Sequence, residues 1–283
     1  MNWGCLHLHE FINIDKNTVF VIDNRIEQQE FDLLESIIEQ NDTTIFFFKI
    51  VDPYVENSQH YYYQFLSKVS SLKNTSLLSV YHAVEITAQL KKQFNNRYIH
   101  LPYPYLQQRE INTDKRYNKV IISGSINAVI YPYRNAVWLK VTRSFTRFLF
   151  FHTLMHPGYP DVDPNVSYKH EFIKDSFIKY LSQYKFMLLC PSRCDIEFLK
   201  FNECVYAGCL PVGLAPDSYP DHIKALFLQL RPKSLVKDIL KIIFSRHKQN
   251  VIHKLRSFLQ ETRSPEELNK KLKQNIENTF HTS

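Results

Sequence analysis

Short apolar runs alternate with stretches in which apolar and polar positions recur at helical spacing, a pattern that predicts parallel sheets covered by helices. In the first part of the chain it predicts strands at 18–22, 43–51, 77–81 and 97–101, with helices at 28–40, 61–72 and 85–94 between them. After 101 the character changes. Pro102, Pro104 and the polar stretch 107–116 interrupt the pattern, and such punctuation marks a linker. A second series follows, with strands at 119–123, 186–190 and 210–213 and helices at 131–148, 172–183 and 197–207. The segment 151–168, with Pro157, Gly158, Pro160 and Pro164, is expected to be a loop over a cleft.

The C-terminal part reads as helical. Leu235, Val236, Ile239, Leu240 and Ile243 make one apolar face, and Lys233, Lys237 and Lys241 keep the other in water. Ser264, Pro265 and Glu267 have the form of a capping box with proline at the first helical position, followed by the stripe Leu268, Leu272, Ile276 and Phe280. The fold class expected is therefore α/β, with two Rossmann-like halves facing each other across a cleft. Residues 1–106 form the first half, 107–118 the linker, and 119–283 the second half with the terminal helices.

Composition narrows this picture. With 283 residues and 44% apolar content, the chain can bury one large or two modest cores. Its longest apolar runs, such as 45–48 and 186–190, fall far short of the ~20 residues that cross a bilayer. Met1–Glu10 shows no basic region followed by an apolar stretch, so no export signal is expected there. Five cysteines spread over a chain of this size fit a reducing, cytoplasmic setting better than a disulfide scaffold. The net charge of +7 favours an anionic partner: a nucleotide, a nucleic acid or an acidic membrane surface. Long basic blocks are missing, so nucleic acid is not expected as a partner, and peripheral contact with an anionic membrane stays open.

The stretch 186–213, FMLLCPSRCDIEFLKFNECVYAGCLPVG, carries the most chemistry. A buried strand runs into a polar turn, a helix bears acids, and Ala207-Gly208-Cys209 turns into another strand. Asp195 and Glu203 are spaced so that two helical turns of ~7.2 residues would return them to nearly the same face. Asp195 also suits the N-cap of a helix beginning at Ile196.

Here the chain resembles the C-terminal domain of GT-B glycosyltransferases, in particular the group 1 and exostosin-like branches. The family pattern of an acid, seven residues, a second acid, a small-residue turn and a Pro-Val strand is matched by Asp195, Glu203, Ala207-Gly208 and Pro211-Val212. The resemblance extends upstream to 119–134, KVIISGSINAVIYPYR. It implies that Glu203 hydrogen-bonds the ribose of a nucleotide-diphosphate sugar and that Asp195 lies near the donor sugar; the family more often has Glu at that first position. Ser123, Gly124 and Ser125 would let backbone N–H groups approach a phosphate, and Arg134 would pair with a diphosphate. Arg193 and Lys200 are counted with the same donor site.

The expected activity is transfer of a sugar from that donor to a glycan or other hydroxyl acceptor. No cofactor beyond the donor substrate is expected, and no aspartate pair is set up to hold Mg²⁺. The alternatives are a non-catalytic nucleotide- or polyanion-binding module and a different α/β enzyme acting on a phosphorylated small molecule. Asp23, Asp52 and His82 end first-half strands, where ligands bind in open parallel sheets, and are the candidates for a catalytic base if the reaction inverts the anomeric centre; a retaining reaction needs no base of this kind. Each also suits a turn or cap. The first half departs from the family in having Gly4 as the only glycine before Gly124. Cys190, Cys194, Cys204 and Cys209 lie on a strand end, a turn, a helix and a strand start, which argues for core thiols over a zinc site. His7 and His9 lack a third ligand nearby, and Arg143 and Arg147 read as a solvated basic face beside Val137, Trp138, Val141, Phe145 and Phe148.

Overall fold

A computed structural model describes residues 19–23, 26–50, 60–81, 85–158, 169–192, 195–245 and 250–280, with the side chains of 85–87 excepted. The chain divides into two compact units, one made of Met1–Pro104 with Pro265–Ser283 and the other of Tyr105–Ser264. Each carries a four-stranded sheet in which all pairings are parallel. These are the two Rossmann-like α/β halves expected.

In the first unit the strands are β1 (Val19–Ile22), β2 (Ile45–Ile50), β3 (Thr75–Ser79) and β4 (Tyr98–His100), side by side in chain order. The crossovers are α1 (Phe31–Gln40), α2 (Tyr61–Val69) and α3 (Glu85–Gln93). Right-handed crossovers that always step the same way deliver every helix to one face. Leu34, Ile38, Phe65, Leu66 and Leu90 accordingly pack on Phe46, Phe48, Ile50 and Leu77. The sheet is apolar on its other face too, as buried parallel strands are. There Val19, Val21, Ile45, Phe47, Leu78 and Ile99 meet Leu272, Ile276 and Phe280 of the C-terminal helix, Pro265–Phe280. The Phe280 ring stands edge-on to Phe47 at 6.2 Å.

The terminal helix thus belongs with the first unit, although the sequence pattern assigned it to the second half. Its stripe states that a face is buried but not against which sheet. The unit boundary also falls at Pro104/Tyr105, so the stretch expected as a linker is part of the second unit, where Tyr105 is fully buried.

The second unit contains β5 (Tyr117–Ser123), α4 (Pro132–Thr142), α5 (Thr146–Phe150), β6 (Phe151–Leu154), α6 (Lys174–Leu181), β7 (Tyr184–Leu189), α7 (Lys200–Tyr206), β8 (Leu210–Gly213), α8 (Asp221–Lys224), α9 (Leu235–Phe244) and α10 (Val251–Arg263). Its strand order is β6-β5-β7-β8. The chain steps outward from β5 to β6 and then crosses back past β5 to β7, which creates a topological switch point. β6 lies inside the segment expected to be a loop. The predicted helix 131–148 is two helices broken after Thr142, and α7 begins at Lys200 rather than Glu197.

Candidate donor site

At a switch point, ligands bind beyond the carboxyl ends of the strands, and a cavity of about 170 Å³ occupies that place in the second unit. Ser123 and Gly124 close β5, while Leu154 to Pro157 continue from β6. Opposite them lie the entrance to α6, from His170 to Lys174, and Lys200 and Glu203 of α7. The structure therefore brings four of the sequence candidates, Ser123, Gly124, Lys200 and Glu203, around one space.

Gly124 explains the closeness. Its φ is +91°, and a Cβ there would lie 3.0 Å from Lys200 Cε and 3.4 Å from Arg134 Nη1. Its N–H already donates to Leu154 O at 3.1 Å, so it is not the phosphate-facing amide expected from the sequence. The glycine instead makes room for two cations. Arg134 is buried, donates from Nη1 to Ser125 O at 3.0 Å, and stacks its guanidinium 4.4 Å from the Tyr131 ring centre. It supports the turn from beneath and is not among the residues lining the cavity. Ser123 Oγ and Arg134 Nε are buried without a hydrogen-bond partner among the described residues.

The ionisable groups are held away from their ordinary behaviour. Burial lowers the Lys200 pKa; Glu203 opposes that shift and Arg134 adds to it. The Lys200 Nζ lies 4.6 Å from the Phe177 ring centre. Burial raises the Glu203 pKa, with Lys200 and Arg109 partly offsetting it. No ion pair or hydrogen bond of the Glu203 carboxylate occurs among the described residues. Perturbed groups of opposite charge in one cavity are a mark of a functional site.

Two histidines escaped the sequence reading. His156 Nδ1 accepts the Gly158 N–H at 3.0 Å, which leaves its proton on Nε2. Burial, then Lys200, Lys169 and His170, lower its pKa. His170 has the same tautomer, donating from Nε2 to Met155 O at 2.8 Å while Nδ1 accepts the Phe172 N–H at 3.3 Å. The signal for both was hidden with β6.

Other candidates lie elsewhere. Asp195 has φ +54° and its carboxylate accepts the Asp217 N–H at 2.7 Å. It precedes α7 in irregular chain, so neither the shared helical face with Glu203 nor the N-cap role holds. Glu197 is the acid that reaches the interior. It forms a buried pair with both terminal nitrogens of Arg263, one at 2.9 Å, and accepts from Tyr219 Oη at 2.9 Å. In the first unit Asp23 is ion-paired with Lys49 at 3.1 Å. Asp52, His82, Arg193, Cys194, His7 and His9 fall outside the described residues. Cys190, Cys204 and Cys209 are free and buried. Cys209 donates to Leu181 O and Tyr184 O, and burial pushes its thiol up to about 12. These three are core thiols.

Two parallel α/β units, one with a cavity at its switch point, give the chain a fold that it shares with solved glycosyltransferases of the GT-B type. Solved structures agree on the fold. TarM superposes with a TM-score of 0.59 at 13% identity over 95% of this chain and 56% of its own. Accessory secretory protein 1, 2 and 3 of Streptococcus pneumoniae gives 0.57 at 11% over 98% and 56%. A glycosyltransferase from Rickettsia africae gives 0.51 at 10% over 90% and 82%. The chain thus spans just over half the length of the first two. No protein-family model and no curated protein sequence matches it.

Proposed function

We propose that the chain is a nucleotide-sugar-dependent glycosyltransferase whose donor diphosphate binds in the cavity between β5, β6, α6 and α7, and whose acceptor is a glycan or another hydroxyl compound. The observation that carries this reading is Gly124 pressed against Lys200 beside Glu203, whose carboxylate makes no ion pair or hydrogen bond among the described residues and has a raised pKa. In the proposal, the Lys200 ammonium and the neutral His156 Nε2–H face the diphosphate, and Glu203 accepts hydrogen bonds from the ribose. A volume of about 170 Å³ suits a diphosphate group; a whole drug-sized ligand needs ~300 Å³ or more, so base and sugar extend beyond it. A variant of Staphylococcus aureus TarM of the same fold was crystallised with UDP and alpha-GlcNAc-glycerol, which supports a nucleotide as the class of ligand. The cations offered here are side chains, so donor binding is expected to proceed without a divalent metal.

Thermal unfolding with UDP, GDP and ADP tests the reading. At a hundred times its dissociation constant the right nucleotide stabilises by about 2.7 kcal/mol, and EDTA leaves the shift intact. Absence of a shift with all three at millimolar concentration would sink the donor site. A panel of nucleotide sugars then reports turnover by nucleotide release. Binding without release across a range of acceptors would assign the chain as a binding module.

A further inference from the structure

Helices α5 and α9 pack against each other and both contact α4 on the surface of the second unit. Their outward sides are apolar. Phe145, Phe148 and Phe244 are 72%, 73% and 72% exposed, joined by Leu149, Val236 and Leu240. The pattern of α9 explains its share: Val236, Leu240 and Phe244 recur every four residues and so form one row, while Leu235, Ile239, Ile242 and Ile243 face the core. The sequence pattern put Val236 and Leu240 on one apolar face with Leu235, Ile239 and Ile243, and the structure splits that face between core and solvent.

Charge identifies what this face meets. Lys140, Arg143 and Arg147 lie beside the α5 phenylalanines, and Lys233, Lys237 and Lys241 run parallel to the α9 row. All six are exposed. The one acid in these segments, Asp238, is buried in a pair with Arg231 at 2.8 Å. Exposed rings flanked by cations, with no solvent-facing acid in these segments, fit an anionic bilayer surface, where rings enter the acyl boundary and cations meet the headgroups. A second copy of the same face would oppose six cations with six cations.

We propose that the α5–α9 face docks the protein on anionic membranes, with Phe145, Phe148 and Phe244 inserted and the flanking lysines and arginines on the headgroups. The inference stands apart from the donor cavity and does not need it.

The test is co-sedimentation of the full chain with phosphatidylcholine vesicles, either pure or containing about 30% phosphatidylserine. Anionic vesicles are expected to bind at least about tenfold more protein than neutral ones, with binding falling as salt shortens the screening length. Each cation near such a surface contributes on the order of fivefold in affinity, so Lys237→Glu with Lys241→Glu weakens binding by well over tenfold. Phe145→Ser with Phe148→Ser and Phe244→Ser gives a comparable loss. Unchanged thermal unfolding of both variants shows that the fold persists, since every altered side chain is exposed. No binding to anionic vesicles, equal binding to neutral ones, or full binding by either variant overturns the proposal. Loss of a concentration-dependent dimer in the serine variant, without vesicle binding in the parent, assigns the face to a second copy and overturns it as well.

Discussion

Glu197 and Glu203 belong to one short stretch of sequence, and their surroundings give them opposite roles. Glu197 has every acceptor engaged by Arg263, Tyr219 and Ser218. Removing one member of a buried pair leaves the other charge uncompensated, at a cost of roughly 3–5 kcal/mol. Glu197→Ala is therefore expected to lower stability by that amount in urea unfolding.

Glu203 reverses the expectation. Its folded pKa lies above its unfolded value because burial disfavours the carboxylate. The native state accordingly binds the proton more readily, and the group's contribution to stability is present at low pH and lost as pH rises through the folded pKa. Glu203→Gln should be more stable than the parent at pH 7, and the difference should vanish below the ordinary carboxylate range. A thermal melt at both pH values checks the sign. The same substitution weakens nucleotide binding, since hydrogen bonds to a charged group contribute roughly 1.5–3 kcal/mol; alanine weakens it further.

Lys200 adds a pH dependence of binding. A diphosphate needs the ammonium, and the lowered pKa makes affinity fall at a lower pH than an ordinary lysine would. Titrating UDP affinity from neutral to alkaline pH should show the fall, and Lys200→Arg should move it out of range because arginine stays charged.

At the scale of elements, local pattern was enough wherever an element lies wholly on one side of a polar boundary. The strand–turn–helix around Ser123 and the α7–Gly208–β8 unit were legible for this reason. In the latter, Gly208 at φ +67° ends the helix as Cys209 N–H reaches back to Cys204 O at 2.9 Å. β6 was not legible, because Phe148–Leu149–Phe150–Phe151 is one apolar run shared by a helix end and a strand start, and periodicity cannot divide such a run. His156, carried by the chain leaving β6, was lost with it. The partner of the C-terminal helix was not legible either, since a stripe has no address. Leu272 is nearly fully buried, so Leu272→Ala is expected to cost about 2–5 kcal/mol, measured by chemical unfolding.

For the molecule as a whole, the two α/β halves follow from the twofold repetition of strand and helix patterns, whereas the strand orders do not. Sequential order in one sheet and a single change of direction in the other arise from which edge each crossover reaches, a long-range outcome that no local window contains. Chains of two units commonly unfold in more than one step. Calorimetry should show Leu272→Ala lowering one transition and bound UDP raising another, because the leucine and the cavity belong to different units.

The discontinuity of the first unit has a consequence for how the protein is made. After β4 leaves the ribosome, the whole of Tyr105–Ser264 must be synthesised before the helix that covers the first sheet appears. At about 5–20 residues per second that takes about ten to thirty seconds. During this interval the second unit can complete its core, while Val21, Phe47 and Leu78 stand without their cover. The middle of the chain is thus expected to mature first and its beginning last. Nascent chains stopped after Ser264 should yield a protease-resistant second unit and a degraded first one, and a strong chaperone dependence that ends once Phe280 has emerged.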